Sequence, residues 1–343
     1  MPPNNNAAWL TAQKAYPLEV KPAPYPTPRA NEIVIKNGAV AINPADWAIQ
    51  TMGDALFAWI TYPCILGYDV AGEVVSVGSA VSRFAPGDRV LGLAVGFVAN
   101  ETASCGFQTY AAVFDHLASP IPQHLSYERA AVLPLGLSTA ACGLFQKDYL
   151  ALHHPSLVPT PTGKALLVWG GATSVGSNAI QLAVAAGYKV ITTASAQNFA
   201  YVKRLGASAV FDYHSQTIVD ELASAFEGET MAGAFDAVAN DEAFYACAAV
   251  LLKTSGSKFI AACRPLPDQI PDGIGTKMIF GSDLKDNEVG PAVYVDFLPQ
   301  ALAEDKYMAA PDPEVVGKGL ESIQAALDVQ KKGVSAKKVV VSL

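Results

Sequence analysis

The chain has 343 residues, of which 51% are apolar and 16% charged, with a net charge of −8. That length suffices for two domains with separate cores, and the apolar share excludes a disordered chain. No run of Lys or Arg exceeds two residues, which with the negative balance argues against nucleic acid as a partner.

The opening MPPNNNAAWLTAQKAYPLEV lacks the basic-then-apolar order of a secretory signal. The longest uncharged stretch, Ala130–Gln146, is interrupted by Pro134 and small polar residues, too short to span a bilayer. A soluble, cytoplasmic protein without a membrane association is the expectation. From about Glu32 to Phe114 the chain reads as β-rich: EIVIKNGAVAI and VAGEVVSVG have strand propensity, and Pro86-Gly87-Asp88 marks a turn before another strand. Beyond Pro134 the pattern changes. Strands predicted at Ala165–Trp169, Val190–Thr193, Ala209–Phe211, Phe235–Ala239 and Phe259–Ala262 alternate with helix-length amphipathic stretches, as in a parallel, doubly wound sheet. Gln146–Gly163 reads as a loop. After Pro313 the spacing of Val316, Leu320, Ile323 and Leu327 predicts a final helix, followed by a strand at Lys338–Val341.

The most informative segment is ALLVWGGATSVGSNAIQLAVAAG, Ala165–Gly187. An apolar strand runs into Gly170 and Gly171, then into a helix from about Ser174, the order that places free N–H groups against a pyrophosphate. Gly171, Ala172, Thr173, Ser174, Val175 and Gly176 are the candidate contacts. Thr173 stands where the second glycine of the usual fingerprint belongs, and Gly176 where helix and strand must approach closely. The second predicted strand leads into Ala194-Ser195-Ala196-Gln197-Asn198, with no carboxylate to pair with ribose hydroxyls. Ser195 and Asn198 can donate to a 2′-phosphate, with Lys203 and Arg204 adding positive potential and Tyr213 placed to flank the adenine or reach the phosphate. The pattern favours NADPH over NADH. Ser195 and Asn198 equally read as caps of the helix Phe199–Leu205.

Five cysteines and five histidines are scattered without a C-x-x-C pair or ligand spacing, so neither a disulfide framework nor a metal site is expected.

Asn43-Pro44-Ala45-Asp46, Leu66–Gly78 (LGYDVAGEVVSVG), Phe84–Val90 (FAPGDRV), Leu133–Ala140 (LPLGLSTA), the glycine turn, Leu205–Ala207 and the closing KKVVVSL together resemble the medium-chain dehydrogenase/reductase superfamily. The nearest resemblance is to its zinc-free branch of quinone oxidoreductases and enoyl reductases, including fungal trans-acting enoyl reductases of polyketide synthesis. This implies an α/β fold: a GroES-like β-rich catalytic domain over 1–134 and 306–343, and a Rossmann doubly wound parallel-sheet domain over 135–305. Zinc alcohol dehydrogenases of the superfamily carry Cys at the position of Asn43, His at that of Tyr68 and Cys near Leu135. Their structural-zinc lobe is also missing here, so the resemblance implies no metal.

By the same resemblance, Asn43–Trp47 and Gly136–Ala140 line a nicotinamide cleft at the domain junction. Thr139 is the expected donor to the nicotinamide amide or a substrate carbonyl, with Asn43 and Tyr68 as candidate donors beside it. Pro44, Asp46, Ala261, Ser335 and Lys337 join the expected cofactor contacts, and Leu135, Gly136, Gly281 and Ser282 the expected substrate contacts; Gly281-Ser282 also reads as a turn ending a strand, and Lys337 as a solvated lysine beside a strand end. Asp46 also reads as a helix cap, and Tyr68 as a packed aromatic. The implied activity is NADPH-dependent hydride transfer, without zinc, to an activated C=C bond or a quinone. The alternatives are a zinc-independent alcohol or carbonyl dehydrogenase, or a non-catalytic NADPH-binding relative. The expected partners are a small-molecule substrate and, for an enoyl reductase, a polyketide synthase; the chain is read as a monomer or homodimer.

Overall fold

The computed structural model describes every residue except Met1, Pro2, Leu56 and Ala239. The chain divides into two compact units, Met1–Leu135 with Asp312–Leu343, and Gly136–Pro311.

The first unit begins with β1 (Asn5–Leu10), β2 (Glu19–Ala23), β3 (Glu32–Ala41), α1 (Pro44–Met52), β4 (Cys64–Ile65), β5 (Asp69–Val77), β6 (Arg89–Leu93), β7 (Tyr110–Phe114) and β8 (Ala118–Pro120). β1 holds β2 and β4 in a small antiparallel sheet. The larger sheet is built on β3, whose Ile33, Val34, Ile35, Val40 and Ala41 are wholly buried. Such β-branched, apolar runs suit a strand covered on both faces. β5 pairs antiparallel with β3, setting Ala41 opposite Asp69. The predicted turn before β6 forms, with the Asp88 carboxylate accepting the Ala85 N–H at 2.8 Å.

The second unit begins within α2 (Pro134–Phe145) and continues through β9 (Lys164–Trp169), α3 (Ser174–Ala185), β10 (Lys189–Ala194), α4 (Phe199–Arg204), β11 (Ala209–Asp212), α5 (Ile218–Ala225), β12 (Thr230–Asp236), α6 (Asp241–Lys253), β13 (Phe259–Ala262) and β14 (Gly275–Met278). The six strands are parallel in the order β11-β10-β9-β12-β13-β14. This is the doubly wound sheet expected from the alternation. The order reverses between β9 and β12, and in such sheets ligands bind beyond the carboxyl ends of the strands at the reversal. Leu167, Ile191, Ala234 and Ile260 pack with Phe244 and Leu251 in one apolar core. One strand differs from expectation. β12 spans Thr230–Asp236 rather than Phe235–Ala239, because its small residues fit beside β9 and Asp236 turns the chain by accepting the Val238 N–H at 3.0 Å. Ala239 lies outside the described residues.

The chain then returns to the first unit as β15 (Asp312–Lys318), α7 (Ile323–Lys332) and β16 (Lys337–Ser342). Val316 lies in β15, not on the final helix. The reason is local: β-branched Val315 and Val316 favour extended chain, and Gly319 at φ +84° separates them from the helix. β15 pairs parallel with β16, and β16 antiparallel with β3, setting Val340 opposite Ala41. Among the described residues, no helix is long and apolar enough to cross a membrane.

Candidate functional site

The glycine turn of the second unit is built by close approach. Gly170 has φ +82°. Its N–H donates to the Thr193 hydroxyl at 3.0 Å, and the Gly171 N–H to the Thr193 carbonyl at 2.9 Å. A Cβ on Gly176 would fall 2.2 Å from the Gly170 carbonyl oxygen, so only glycine lets α3 come this near β9. Thr173, in place of the second glycine, is the N-cap of α3: its hydroxyl accepts the Gly176 N–H at 2.9 Å and donates to the Gly170 carbonyl at 2.9 Å. The cap uses one first-turn donor and leaves the N–H groups of Ser174 and Val175 without an intrahelical acceptor. The Ser174 hydroxyl is buried and makes no hydrogen bond. Two open amides, an orphaned hydroxyl and the positive end of α3 fit the pyrophosphate of a dinucleotide.

Beyond β10, Asn198 donates to the Ser195 hydroxyl at 3.0 Å, and neither side chain caps the following helix. The Tyr201 and Ser177 hydroxyls lie 2.8 Å apart, tying α4 to α3. Lys203 and Arg204 are exposed; Tyr213 is half-exposed against the His214 ring, with centroids 4.0 Å apart. Ala261 is fully buried in β13.

The start of α2 meets the start of α3. A Cβ on Gly136 would lie 2.7 Å from the Ser174 hydroxyl, and one on Gly281 would lie 2.6 Å from the Thr139 hydroxyl. Gly136, Thr139, Ser174 and Gly281 are thus gathered in one place, with Ser282 next in the chain and half-buried. Behind them, the Ser138 and Tyr294 hydroxyls are 2.7 Å apart, and Tyr307 donates to Asn178 at 2.7 Å. These supports come from far along the chain and were not foreseen.

In the first unit, Asn43 precedes α1 as its N-cap, with Pro44 at the first helical position, a preferred place for proline. Asp46 reaches back to accept the Asn43 N–H at 2.8 Å and also accepts the Gly67 N–H at 3.2 Å. It is fully buried, and burial, aided by the charge of Asp69, pushes its carboxyl up to about 7 against those donors. The Asn43 side chain is held at both ends: Nδ2 donates to Asp69 Oδ2 at 2.8 Å, and Oδ1 accepts from the Lys338 ammonium. Lys338 Nζ stands 2.9 Å from Asp69 Oδ2. The other Asp69 oxygen accepts the Leu135 N–H. Lys338 escaped sequence reasoning because two adjacent lysines on a strand point to opposite faces and only packing decides which is inside. Lys337 is the exposed one, 3.7 Å from Asp312, and Ser335 is exposed before it. Tyr68 is buried with its ring edge towards Phe97, and burial raises its phenol well above the ordinary range.

Two family models match the chain. Residues 29–162 match the alcohol dehydrogenase GroES-like domain family, and residues 174–270 the family described as zinc-binding dehydrogenase. The chain belongs to the medium-chain dehydrogenase/reductase superfamily. As a member of it, the protein is an oxidoreductase with a nicotinamide-dinucleotide-binding fold. It is 54% identical to the dehydrogenase azaJ of Aspergillus niger, over 98% of this chain and 99% of the relative. It is 39% identical to the trans-enoyl reductase himH of Aspergillus japonicus, over 99% of this chain and 97% of the relative. Among solved structures, an alcohol dehydrogenase superfamily protein from Novosphingobium aromaticivorans shares the fold, with a TM-score of 0.80 at 24% identity, over 99% of both chains.

The donor set does not suit zinc. Asn43, Tyr68 and Leu135 offer no thiolate or imidazole, and no group of three His, Cys, Asp or Glu gathers among the described residues.

Proposed function

We propose that this oxidoreductase is an NADPH-dependent, metal-free reductase of activated C=C bonds, acting on an enone or enoyl thioester. The observation that carries the reading is the gathering of Thr139, Ser174, Gly136 and Gly281 beside the glycine turn: hydroxyl donors and glycine clearances, with no metal ligands. Similarity to a trans-enoyl reductase supports the same substrate class. Conjugation already makes the β-carbon of such a substrate electrophilic, so no Lewis acid is needed to activate it.

The nicotinamide, when bound, supplies the hydride. Ser174 and the α3 amides hold the pyrophosphate, and Ser195 with Asn198 holds the 2′-phosphate. The Thr139 hydroxyl donates to a carbonyl oxygen as negative charge builds there, in the manner of an oxyanion hole, and the enolate then takes a proton from solvent at its α-carbon. The Asn43 amide, held by Asp69 and Lys338, orients the start of α1. A quinone is the second acceptor class, since it too takes hydride onto a conjugated system. If the substrate is an enoyl thioester, a polyketide synthase is the natural carrier.

NADPH oxidation against enoyl thioesters, enones, quinones and aldehydes tests this. Deuterium from 4-deuterated NADPH should appear at the β-carbon of an enone or thioester. Turnover of aldehydes alone, or tight NADPH binding with no turnover anywhere in the panel, overturns the reading.

A further inference from the structure

In the second unit, the chain from the end of β14 to Gly281 is laced onto α2 and its extension residue by residue. Lys277 pairs with Asp148 and sets its ammonium 4.5 Å from the centre of the Tyr149 ring. The Tyr149 hydroxyl donates to the Met278 carbonyl at 2.8 Å. Ile279 packs where Gly143 has no side chain, since a Cβ there would fall 2.5 Å from Ile279 Cδ1. The Cys142 thiol donates to the Phe280 carbonyl at 3.4 Å, and Gly281 then meets the Thr139 hydroxyl. Thr139, Cys142 and Gly143 can all face this segment because residues three and four apart share one side of a helix. The ladder with β13 ends where the Ile279 N–H donates to the Ala262 carbonyl at 2.8 Å. From Phe280 onwards no strand neighbour sets the depth of the chain, and the contacts with α2 do.

We propose that Cys142 and Tyr149 are positioning residues for Thr139: their hydrogen bonds to the Phe280 and Met278 carbonyls hold the segment at the depth where Gly281 closes over the Thr139 hydroxyl and fixes its direction. The role rests on the reading of Thr139 as donor to the substrate carbonyl. Cys142 is the last tie before that hydroxyl, and it is fully buried. Burial pushes its thiol up to about 12, so it keeps the proton that it donates. The Gln146 side-chain amide donates to the sulfur at 3.0 Å, which uses the thiol as acceptor and leaves its S–H for Phe280. The Phe280 carbonyl also accepts the Asp283 N–H at 3.1 Å, but that bond is local to the turn and ties nothing to α2. A buried cysteine is often only a small apolar filler. The two roles differ in what serine would do there: a filler position loses by burying a hydroxyl, whereas a donor position keeps its bond.

Wild type, Cys142→Ala, Cys142→Ser and Tyr149→Phe are compared in two ways. Amide hydrogen exchange is followed in peptides covering residues 278–284, and steady-state kinetics uses NADPH with the enone or enoyl thioester that wild type reduces fastest. Cys142→Ala and Tyr149→Phe should each exchange at least about threefold faster in those peptides, because one tie to α2 is gone. Each should lower kcat by about threefold to thirtyfold while KM and NADPH affinity change by less than about twofold, since a misdirected donor is felt in the transition state. Cys142→Ser should regain at least about half of the kcat lost in Cys142→Ala. Tyr149→Phe keeps the ring, so it carries the comparison if Cys142→Ala does not fold. Unchanged exchange in either folded variant overturns the proposal, as does faster exchange with kcat unaltered. So does a Cys142→Ser enzyme slower than Cys142→Ala. If wild type reduces nothing in the panel, the proposed function fails instead, and the exchange comparison, which needs no substrate, decides whether these ties hold the segment.

Discussion

Gly281 leaves no room for a side chain over Thr139: a Cβ there would lie 2.6 Å from the Thr139 hydroxyl and 3.0 Å from its backbone nitrogen. The glycine therefore controls where that hydroxyl points. Gly281→Ala should push Thr139 aside and reduce turnover, and Thr139→Val should remove the donor while keeping the shape. Each should lower kcat by roughly tenfold to a thousandfold, with little change in NADPH affinity. Steady-state kinetics with a fluorescence titration separates the two effects. Unchanged kcat in Thr139→Val removes that hydroxyl from the mechanism.

Cofactor preference should follow the end of β10, where a hydroxyl and an amide stand and no carboxylate does. NADPH should bind at least about tenfold more tightly than NADH, or about 1.4 kcal/mol. Ser195→Asp introduces a like charge against the 2′-phosphate and should shift the preference towards NADH. Competitive titration of both nucleotides checks this, and equal affinities in wild type would contradict it.

Asp46 should give the first unit a characteristic pH response. Its folded-state pKa is raised to about 7, chiefly by burial, above an ordinary value near 3.8. A carboxyl shifted upwards binds its proton more tightly when folded, so its contribution to stability is lost as pH rises from about 4 to about 7, and is level beyond. Asp46→Asn should remove that slope. It should also lower stability overall, because an amide oxygen cannot accept both the Asn43 and Gly67 N–H groups as a carboxylate does. Melting temperatures between pH 4 and 8 test the sign; an unchanged slope in the variant refutes the assignment.

The Thr173 cap invites a simpler measurement. Thr173→Ala deletes an acceptor for the Gly176 N–H and a donor to the Gly170 carbonyl. A loss of about 1 kcal/mol is expected, or roughly 2–4 °C in melting temperature for a unit of this size. Thr173→Ser should recover most of it. A neutral Thr173→Ala would mean that water replaces the cap without loss.

The doubly wound sheet could be read from the sequence because strands covered on both faces are continuous apolar runs, and Leu166, Leu167 and Val168 announce one such strand plainly. The glycine turn was visible for a different reason: steric clearance admits only one residue type at Gly176. Val316 was misplaced because its spacing from Leu320 and Ile323 mimics a helix, while the β-branched pair and Gly319 that override it act over only a few residues. The Lys338–Asp69 pair was hidden for a third reason. It joins positions on β16 and β5 that meet only through tertiary packing, and a buried lysine beside an exposed one has no local signature.

The return of β16 to β3 also has a consequence for the order of assembly. All of the second unit is synthesised before residue 312 exists, so it can fold as a complete body while the first unit waits. Until β16 arrives, β3 lacks its neighbour over Ala39–Ala41 and Asp69 lacks its ammonium. A nascent chain stalled in between would carry an open strand edge and an unpaired buried acid. That interval is when a chaperone has most to protect.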